Sequence, residues 1–331
     1  MWVVALDEGL RTALFSAEQW ARLEKLVDVA VVGSRFDVTE PGVSGVLSQA
    51  TGLITGWGCP ELTASVLEAC PRLEVIVHTG GSVRAFVGDP VFSRGIVVAS
   101  QTELNAEPVA QFCLAQILLA AKGVGRATRA YAALRGGFDA FAASAGVGVY
   151  GATVGLIGYG RVCHRLIELL RGFGLRVLVS TPYLDGTQAA EVGVEVVDTA
   201  SLMRTADVIS VHLGDTPDNH GAITAELLAL IKPGATFLNT ARGIVVDEAA
   251  LVRELQTGRF DAVLDVTWPE VPGVESPLWT LPNVTLTPHW AGSLGRELRR
   301  LGVGTVDNVA QWVSGVPLTG RVDPAVAAYI A

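Results

Sequence analysis

The chain has 331 residues, half of them hydrophobic and 17% charged, and its formal net charge is −9. This length suits two domains or one very large one, with ample apolar material for a core. An acidic chain without a Lys/Arg stripe is a poor partner for nucleic acid or an anionic membrane surface, so we expect neither. A small anionic ligand must then be held by a local site.

The cysteines favour a reducing compartment and give no sign of a metal site. Cys59, Cys70, Cys113 and Cys163 form no CxxC pair and no metal spacing with histidine. Such residues are typical of reduced, mostly buried thiols in a cytosolic protein. The start MWVVALD lacks the basic region of a signal peptide. The most apolar helix candidate, 112–121, is too short to span a bilayer and too interrupted by Gln111, Gln116 and Lys122. We therefore expect a cytoplasmic protein without a bound metal.

In the first part of the chain, short β-branched runs alternate with helical stretches. The predicted strands are 2–6, 27–32, 53–57, 73–78 and 96–99. A helix is predicted to open at Pro60 and to reach about Cys70. This alternation favours parallel α/β layering.

A long apolar helix is predicted next, from Ala106 to about Lys122, with Pro108 in its first turn. The Ala/Gly-rich stretch 123–151 has only weak periodicity, and we interpret it as an arm or a surface excursion.

A second α/β series begins at Thr153. The predicted strands are 153–157, 176–181, 208–213, 236–239, 262–266 and 284–287, and the predicted helices are 161–171, 201–205, 225–231 and 247–256. Six strands with intervening crossovers match a doubly wound sheet. The last predicted helix, about 295–314, cannot extend that sheet and could return the chain to the first domain.

A glycine-rich signature, VGLIGYGRVC at 154–163, lies between a predicted strand and a predicted helix. In that context it indicates a dinucleotide-binding turn, because glycines permit a tight turn and a close approach of the pyrophosphate to the helix start. The third glycine position holds Cys163, a small thiol. The expected cofactor-binding residues here are Gly158, Tyr159, Gly160, Arg161 and Val162.

The end of the second strand bears on the choice between NAD and NADP. Thr181 stands about 20 residues after Gly158, where an NAD-binding domain carries Asp or Glu for the ribose. No Lys or Arg lies in 180–188 to attract a 2′-phosphate, and Asp185 is nearby. We therefore expect NAD, with NADP not excluded and Thr181 at the ribose.

Three short motifs follow predicted strands: NTARG with Arg242, DVTWPE with Glu270 and TPHWAG with His289. A fixed cation, a carboxylate and an imidazole are the groups needed to bind an anionic carbonyl compound and to move a proton on it. Taken singly, each residue also has a plain structural interpretation, as a strand-end cap, a solvated loop charge or a packed histidine. Their joint occurrence favours catalysis.

With these motifs in order, the chain resembles the D-isomer-specific 2-hydroxyacid dehydrogenases, most strongly over 153–292. The resemblance implies an α/β protein of two Rossmann-like doubly wound domains. One is a flavodoxin-like substrate-binding domain from 1–103 and 295–331, and the other is an inserted NAD(P)-binding Rossmann domain, 104–294. An active site in the cleft between them is implied, as is a homodimer built through the helix at 105–122 and the Ala-rich arm.

The resemblance also implies residue roles. Arg242 resembles the arginine that binds the substrate carboxylate, His289 resembles the general acid/base, and Glu270 resembles the carboxylate that orients it and stabilises its protonated form. Asp265 would accept a hydrogen bond from the nicotinamide amide, and backbone amides near Gly80 and Gly81 would cradle the carboxylate. The further cofactor-binding residues implied are His212, Thr216, Thr240, Ala241, His289 and Gly292.

The segment 76–84 departs from the family pattern. Ser82 replaces a glycine of the family's Gly-x-Gly-x-Asp loop, and Arg84 replaces its Asp. Surface variation is one interpretation; the other is a second cation for a substrate with a further anionic group. Trp57 lies on another loop expected to face the cleft, and Trp290 directly follows His289. The expected substrate-binding residues are Trp57, Gly80, Gly81, Ser82, Arg84 and Arg242.

The leading hypothesis is therefore an NAD(P)-dependent oxidoreductase that transfers hydride between nicotinamide and C2 of a small 2-hydroxy or 2-oxo acid. Phosphite dehydrogenase also resembles this family, so a phosphonate or another phosphorus oxyacid is a second substrate class. Formate dehydrogenase fits less well, because Glu270 stands where that enzyme carries a neutral amide. A third hypothesis is a non-catalytic NAD(H)-sensing binding protein on the same scaffold.

Overall fold

The computed structural model describes residues 1–135 and 137–324, and it consists of two compact units. Unit 1 combines Met1–Ala106 with the chain from Ser293 onward, and unit 2 is Glu107–Gly292. The sequence placed these divisions after 103 and after 294, and the end of the expected first domain, 325–331, lies outside the described residues.

Unit 1 contains a parallel sheet of five strands in the order β2-β1-β3-β4-β5. The strands are β1 Trp2–Ala5, β2 Val29–Val32, β3 Gly52–Thr55, β4 Val75–His78 and β5 Val97–Ser100. The intervening helices are α1 Glu8–Leu14, α2 Ala17–Leu26, α3 Pro41–Leu47, α4 Ala64–Glu68 and α5 Asp89–Ser93. Strands β1, β3 and β4 are buried along their whole length, because helices cover both faces of such a sheet. This is the flavodoxin-like strand order.

The helix predicted to open at Pro60 begins later, at Ala64. Its N-cap is Thr63, whose side chain accepts a hydrogen bond from the backbone N–H of Val66. A side-chain oxygen at this position satisfies one of the unpaired amides of the first turn. The helix therefore begins after the proline and not at it.

The next helix, α6 Thr102–Ala121, begins earlier than predicted. The N–H of Asn105 already donates to Gln101 O, at 2.8 Å, so Pro108 lies inside the helix and not in its first turn. At 20 residues and a mean hydropathy of 1.3, α6 is long and apolar enough to cross a membrane by length and composition. The segment 112–121 is therefore part of a longer helix than the sequence indicated. The buried residues of α6 at helical spacing, Ala110, Cys113, Ile117 and Ala121, belong to the core of unit 2, as in the core helix of a globular domain.

The stretch at 123–151, which the sequence predicts to be an arm or a surface excursion, contains α7 Val124–Leu134 and α8 Ala140–Ala143. Gly123 separates α6 from α7 with a left-handed φ of 68°, a conformation that glycine adopts without steric cost. Arg129 anchors α7 through an ion pair of 2.5 Å with Asp261.

Unit 2 contains a parallel sheet of seven strands in the order β12-β11-β10-β9-β6-β7-β8. The strands are β6 Thr153–Ile157, β7 Arg176–Ser180, β8 Glu195–Val196, β9 Val208–Val211, β10 Thr236–Asn239, β11 Asp261–Leu264 and β12 Val284–Leu286. The helices are α9 Arg161–Leu170, α10 Gly186–Val192, α11 Thr199–Thr205, α12 Ala225–Ala229 and α13 Glu248–Gln256. The doubly wound α/β class is confirmed, but the sequence missed β8, a two-residue edge strand. Because β6 lies between β7 and β9, the strand order reverses at β6, where such sheets bind nucleotides.

The chain returns to unit 1 in a 3-10 turn, Gly295–Glu297, followed by α14 Leu298–Val313. Buried residues of α14, including Leu301, Val306 and Val309, join the core on one face of the unit 1 sheet. The predicted return helix therefore completes unit 1.

Two histidines lie at strand ends, one in each unit: His78 is buried, whereas His212 is half-buried with its Nε2 enclosed. His78 is 3% exposed, and its Nδ1 lies 3.0 Å from Thr55 Oγ1. Burial lowers the pKa of His78 to about 3 and the pKa of His212 to about 4, because a low-dielectric interior disfavours the protonated ring.

Acid is therefore expected to destabilise the protein through His78. The unfolded chain binds a proton on this residue below about pH 6.5, whereas the folded chain does so only near pH 3. The free energy of unfolding should fall with decreasing pH between these values, by up to ~1.4 kcal/mol per pH unit. Urea titrations at pH 7, 6 and 5 should show a weaker pH dependence for His78→Gln than for wild type. The exposed His220 gives the control variant His220→Gln, and identical slopes for all three proteins would contradict the assignment.

Candidate active site

The three predicted catalytic residues follow three adjacent parallel strands of unit 2. Arg242 comes after β10, Glu270 after β11 and His289 after β12. The carboxyl ends of parallel strands meet at one edge of a sheet, the edge where such folds bind ligands. The topology thus gathers the three motifs at a single edge.

The structure brings His289 and Glu270 into direct contact. His289 Nδ1 lies 2.6 Å from Glu270 Oε1, and the two side chains are 46% and 56% exposed. An ion pair this open to solvent adds little stability. Its effect is orientation: an ionised carboxylate only accepts hydrogen bonds, so Nδ1 carries the proton and donates it. Nε2 is then the ring nitrogen that can exchange a proton with a ligand.

The backbone at His289 has a left-handed conformation, with φ at 54°. This region is uncommon for residues other than glycine and needs support from its surroundings. The His289 N–H donates to Asp265 O at 2.9 Å and to Thr287 O at 3.0 Å. The loop after β12 is thereby tied to the end of β11, and the imidazole is held by its backbone as well as by Glu270.

Asp265 organises this loop further. Its carboxylate is 2% exposed and accepts from Thr287 Oγ1 at 2.5 Å, Trp290 N at 2.6 Å and Ala291 N at 3.0 Å. A carboxylate offers about four acceptor positions, so room for the expected nicotinamide contact remains. The sequence did not reveal that Asp265 also holds the loop that carries His289.

A neutral amide at Asp265 is expected to loosen the loop. In Asp265→Asn, an NH2 group would face at least one of the N–H donors of Trp290 and Ala291, which leaves a buried donor unpaired at a cost of about 1–3 kcal/mol. We expect a lower kcat, with a change in the pH dependence of kcat as His289 loses its fixed orientation. Thr287→Val removes only one donor and should have a smaller effect. Unchanged kcat and pH profile in Asp265→Asn would contradict this role.

The turn that carries Arg242 is built by Asn239 and Gly243. Asn239 donates from Nδ2 to Arg242 O at 2.9 Å and accepts from Ala241 N at 3.0 Å. A Cβ on Gly243 would lie 2.0 Å from the carbonyl carbon of Thr267, so only glycine lets the turn pack against the β11 loop. Arg242 itself is partly buried and donates from Nη1 to Ala241 O at 2.7 Å. Both supporting residues were visible in the NTARG motif, but their roles were not.

The glycine-rich turn has the geometry that its sequence predicts. Gly158 has φ at 101°, and a Cβ there would lie 2.6 Å from the backbone oxygen of His212. At Gly160, the N-cap of α9, a Cβ would meet nothing within 4 Å. This open space in front of the first amides of α9 suits a pyrophosphate. Cys163, at the third glycine position, is fully buried in the core.

The other expected cofactor-binding residues lie on the same edge of unit 2. The buried Nε2 of His212 has no hydrogen-bond partner within the described chain, which leaves a polar atom for a ligand to satisfy. The ring of Tyr159 lies 3.9 Å from that of His164, centroid to centroid.

The remaining expected residues lie along the same edge. Thr216 is 5% exposed, and the hydroxyl of Thr240 contacts Cys113 Sγ at 3.1 Å. Arg161 and Val162 begin α9, Thr181 follows β7, and Ala241 and Gly292 lie in the Arg242 and His289 loops. These residues fit a dinucleotide.

The expected substrate-binding residues other than Arg242 lie in unit 1, after strands β3 and β4. A Cβ on Gly80 would lie 2.7 Å from His78 Nε2 and 3.3 Å from Trp57 Cζ2. A side chain at this position would force the buried His78 ring to shift, and the indole of Trp57 lies beside it. The N–H of Arg84 donates to Ser82 Oγ at 3.3 Å. A Cβ on Gly81 would lie 3.2 Å from the side-chain nitrogen of Asn105.

Comparison with known proteins agrees with this geometry. The family description "D-isomer specific 2-hydroxyacid dehydrogenase, NAD binding domain" matches residues 114–291. D-3-phosphoglycerate dehydrogenase of Mycobacterium leprae is 34% identical over 263 residues, which is 78% of this chain and 49% of that protein. Hydroxypyruvate reductase of Thermotoga maritima is 31% identical over 252 residues, 75% of this chain and 80% of that protein.

Among solved structures, D-lactate dehydrogenase from Aquifex aeolicus, complexed with NAD and lactic acid, matches with a TM-score of 0.70. It is 25% identical and covers 95% of each chain. The chain spans about half the length of the D-3-phosphoglycerate dehydrogenases that it matches. The predicted resemblance is confirmed: the chain belongs to the D-isomer specific 2-hydroxyacid dehydrogenases, and residues 114–291 are their NAD-binding domain.

Proposed function

We propose that the protein is an NAD(P)-dependent oxidoreductase that transfers hydride between nicotinamide and C2 of a small 2-oxo or 2-hydroxy acid. The observation that carries this proposal is the contact of 2.6 Å between His289 Nδ1 and Glu270 Oε1 at the ligand-binding edge of an NAD-binding sheet. The relatives named above, which are a phosphoglycerate dehydrogenase, a hydroxypyruvate reductase and a lactate dehydrogenase, support the same chemistry.

In the reductive direction, the bound nicotinamide supplies the hydride. His289 donates the proton from Nε2 to the carbonyl oxygen, while Glu270 holds the ring through Nδ1 and stabilises its charged form. In oxidation, the neutral Nε2 accepts the proton of the hydroxyl group. Arg242 binds the substrate carboxylate with its guanidinium group, which remains charged and can form two parallel hydrogen bonds.

We assign the remaining substrate contacts to unit 1. The backbone amides of Gly80 and Gly81 would bind the carboxylate, with Ser82, Arg84 and Trp57 shaping the rest of the pocket. The close packing of Gly80 against the His78 ring and the indole of Trp57 beside it support this assignment. Substrate choice would then depend on the loop at which the chain departs from its family.

A panel of 2-oxo acids tests the proposal. Purified protein is mixed with NADH or NADPH and, in turn, glyoxylate, pyruvate, hydroxypyruvate and larger 2-oxo acids, and the loss of cofactor absorbance is followed. We expect turnover with at least one acid and formation of the D-2-hydroxy acid. Cofactor binding without turnover of any acid would favour an NAD(H)-sensing protein.

The second substrate class, phosphonates or other phosphorus oxyacids, is motivated by Arg84 and Ser82, which replace the family's Asp and glycine. The backbone N–H of Arg84 donates to the side-chain Oγ of Ser82, with the two atoms 3.3 Å apart. Competition by phosphonate analogues, without competition by carboxylates, would favour this class over 2-oxo acids.

We further propose a cytoplasmic homodimer. The four cysteines are free, which suits a reducing compartment. Large apolar side chains on α6 and α7 are exposed, namely Leu119, Tyr131 and Leu134 at 50%, 63% and 56%, and these support an interface on the helix and arm that the sequence indicated. Light scattering coupled to size-exclusion chromatography measures the oligomeric state; a monomer at all concentrations would contradict the dimer.

A further inference from the structure

The end of β7 lies beside the glycine-rich turn. Ile157 pairs with Ser180 in the parallel ladder, and the N–H of Gly158 donates to Ser180 O at 2.9 Å. Thr181 is the next residue, at the position from which a dinucleotide-binding domain contacts the adenosine ribose. Its Oγ1 accepts from Tyr183 N at 3.2 Å. The residue nearest to the expected ribose is therefore neutral.

Three acidic residues in the loops after β7, β8 and β9 are already engaged within the chain. Asp185 caps α10, and its Oδ1 accepts from Thr187 N and Gln188 N, each at 2.8 Å. Asp198 caps α11 and accepts from both N and Oγ of Ser201.

In the loop after β9, Asp215 forms an ion pair of 2.7 Å with His220. Asp185, the negative charge that the sequence places near Thr181, is thus bound to a helix start. Each of these three carboxylates has a partner in the chain, and none stands at the position of Thr181.

Positively charged residues are also sparse in the loops around the end of β7. Within the described loop segments 158–162, 181–185, 197–199 and 212–216, Arg161 is the one Lys or Arg. It is exposed at the first position of α9, the helix whose N-terminus faces the expected pyrophosphate. A 2′-phosphate would therefore meet no carboxylate at the end of β7, and a guanidinium group stands on the adjoining turn.

We propose that Thr181 is the residue that sets cofactor selectivity, and that this chain binds NADPH about as tightly as NADH. A carboxylate at this position would accept hydrogen bonds from the ribose hydroxyl groups and repel a 2′-phosphate, whereas a threonine hydroxyl can accept from a hydroxyl group and donate to a phosphate. The proposal concerns the NAD-binding domain and does not depend on which acid the protein reduces.

Equilibrium binding of NADH and NADPH to the full chain tests this proposal, with quenching of tryptophan fluorescence as the signal and no substrate present. For wild type we expect dissociation constants that differ by less than about tenfold. Thr181→Asp should increase the preference for NADH by at least about tenfold, because the new carboxylate and the 2′-phosphate repel each other at short range. Thr181→Glu provides a second acidic variant.

Two matched controls separate Thr181 from its surroundings. Thr181→Val keeps the shape of the side chain and, unlike Asp or Glu, adds no charge. It should leave the ratio of the two dissociation constants near that of wild type. Asp185→Ser removes the nearby negative charge but retains a good N-cap for α10, and it should also leave the ratio near that of wild type. Thermal unfolding of each variant confirms that it is folded.

The proposal is overturned if the wild-type protein binds NADPH more than about 100-fold more weakly than NADH, or if it binds neither cofactor. It is also overturned if the ratio of the two dissociation constants is unchanged in both folded acidic variants, or if Asp185→Ser shifts that ratio. If both cofactors bind but no 2-oxo acid is reduced, the proposed activity fails while the binding ratios still test Thr181.

Discussion

Replacing His289 with glutamine is expected to lower kcat for 2-oxo acid reduction by about 10²–10⁴-fold, because a positioned general acid contributes an acceleration of that order. Glutamine keeps a polar side chain at the position but cannot supply a titrating proton. The dissociation constant of NADH should change far less than kcat, since the glycine-rich turn and Thr181 lie after other strands of the sheet. Stopped-flow or steady-state absorbance measures kcat, and tryptophan quenching measures cofactor binding.

The companion variant Glu270→Gln should lower kcat less than His289→Gln does. The amide oxygen of glutamine can still accept the Nδ1 proton of His289, so the ring orientation can persist while the charge that stabilises the imidazolium is lost. A His289→Gln variant that retains the wild-type kcat would contradict the assignment of the acid. If His289→Gln lost NADH binding completely along with kcat, the result would instead indicate a structural role.

Removing the guanidinium group of Arg242 is the second change with a large expected effect. Arg242→Gln should lower kcat/KM for the 2-oxo acid by about 10²–10³-fold, because truncating one partner of a buried, hydrogen-bonded charge pair costs about 2–5 kcal/mol. The turn itself should persist, since Asn239 and Gly243 hold it through backbone contacts.

Arg242→Lys separates charge from geometry. Lysine restores the positive charge but not the planar pair of donors, so we expect only partial recovery of kcat/KM. Steady-state kinetics with the best acid of the panel, together with NADH binding, provides the measurement. Full recovery by lysine would show that charge alone suffices, and unchanged kcat/KM in Arg242→Gln would exclude Arg242 from carboxylate binding.

The sequence predicted those features that depend on local patterns. Hydrophobic runs at strand spacing predicted the two α/β series. The glycines of the 154–163 signature predicted the nucleotide turn, because a positive φ and open space at the Cβ position select glycine, which is visible in the sequence. The motifs around Arg242, Glu270 and His289 gave the candidate site because parallel strands end at one edge.

Features that depend on contacts between distant segments were missed. The three donors that converge on Asp265 come from the loop after the next strand, and the left-handed φ of His289 follows from those contacts and not from its own residue type. Strand β8 has only two residues and therefore shows no periodicity. The start of α6 depends on the hydrogen bond from Asn105 N–H to Gln101 O. The preference of proline for the first turn of a helix, which placed the start near Pro108, does not reveal this bond.

The close packing at Gly80 also depends on contacts between separate segments. It arises from the side chains of His78 and Trp57, which reach Gly80 from the ends of two neighbouring strands. The sequence alone showed only that the segment 76–84 departs from the family pattern. The departure at Ser82 and Arg84 thus lies next to a position whose backbone is constrained by packing, which is why this loop is the place to search for substrate choice.

The most direct test of the central claim follows deuterium from C4 of the nicotinamide to C2 of the product. NADH carrying deuterium at the transferable position of C4 is incubated with the protein and its best 2-oxo acid, and the hydroxy acid product is analysed by mass spectrometry and chiral chromatography. If the protein transfers hydride to C2, the product gains one deuterium and has the D configuration. A product without deuterium, or deuterium that remains entirely in the cofactor, would contradict the account.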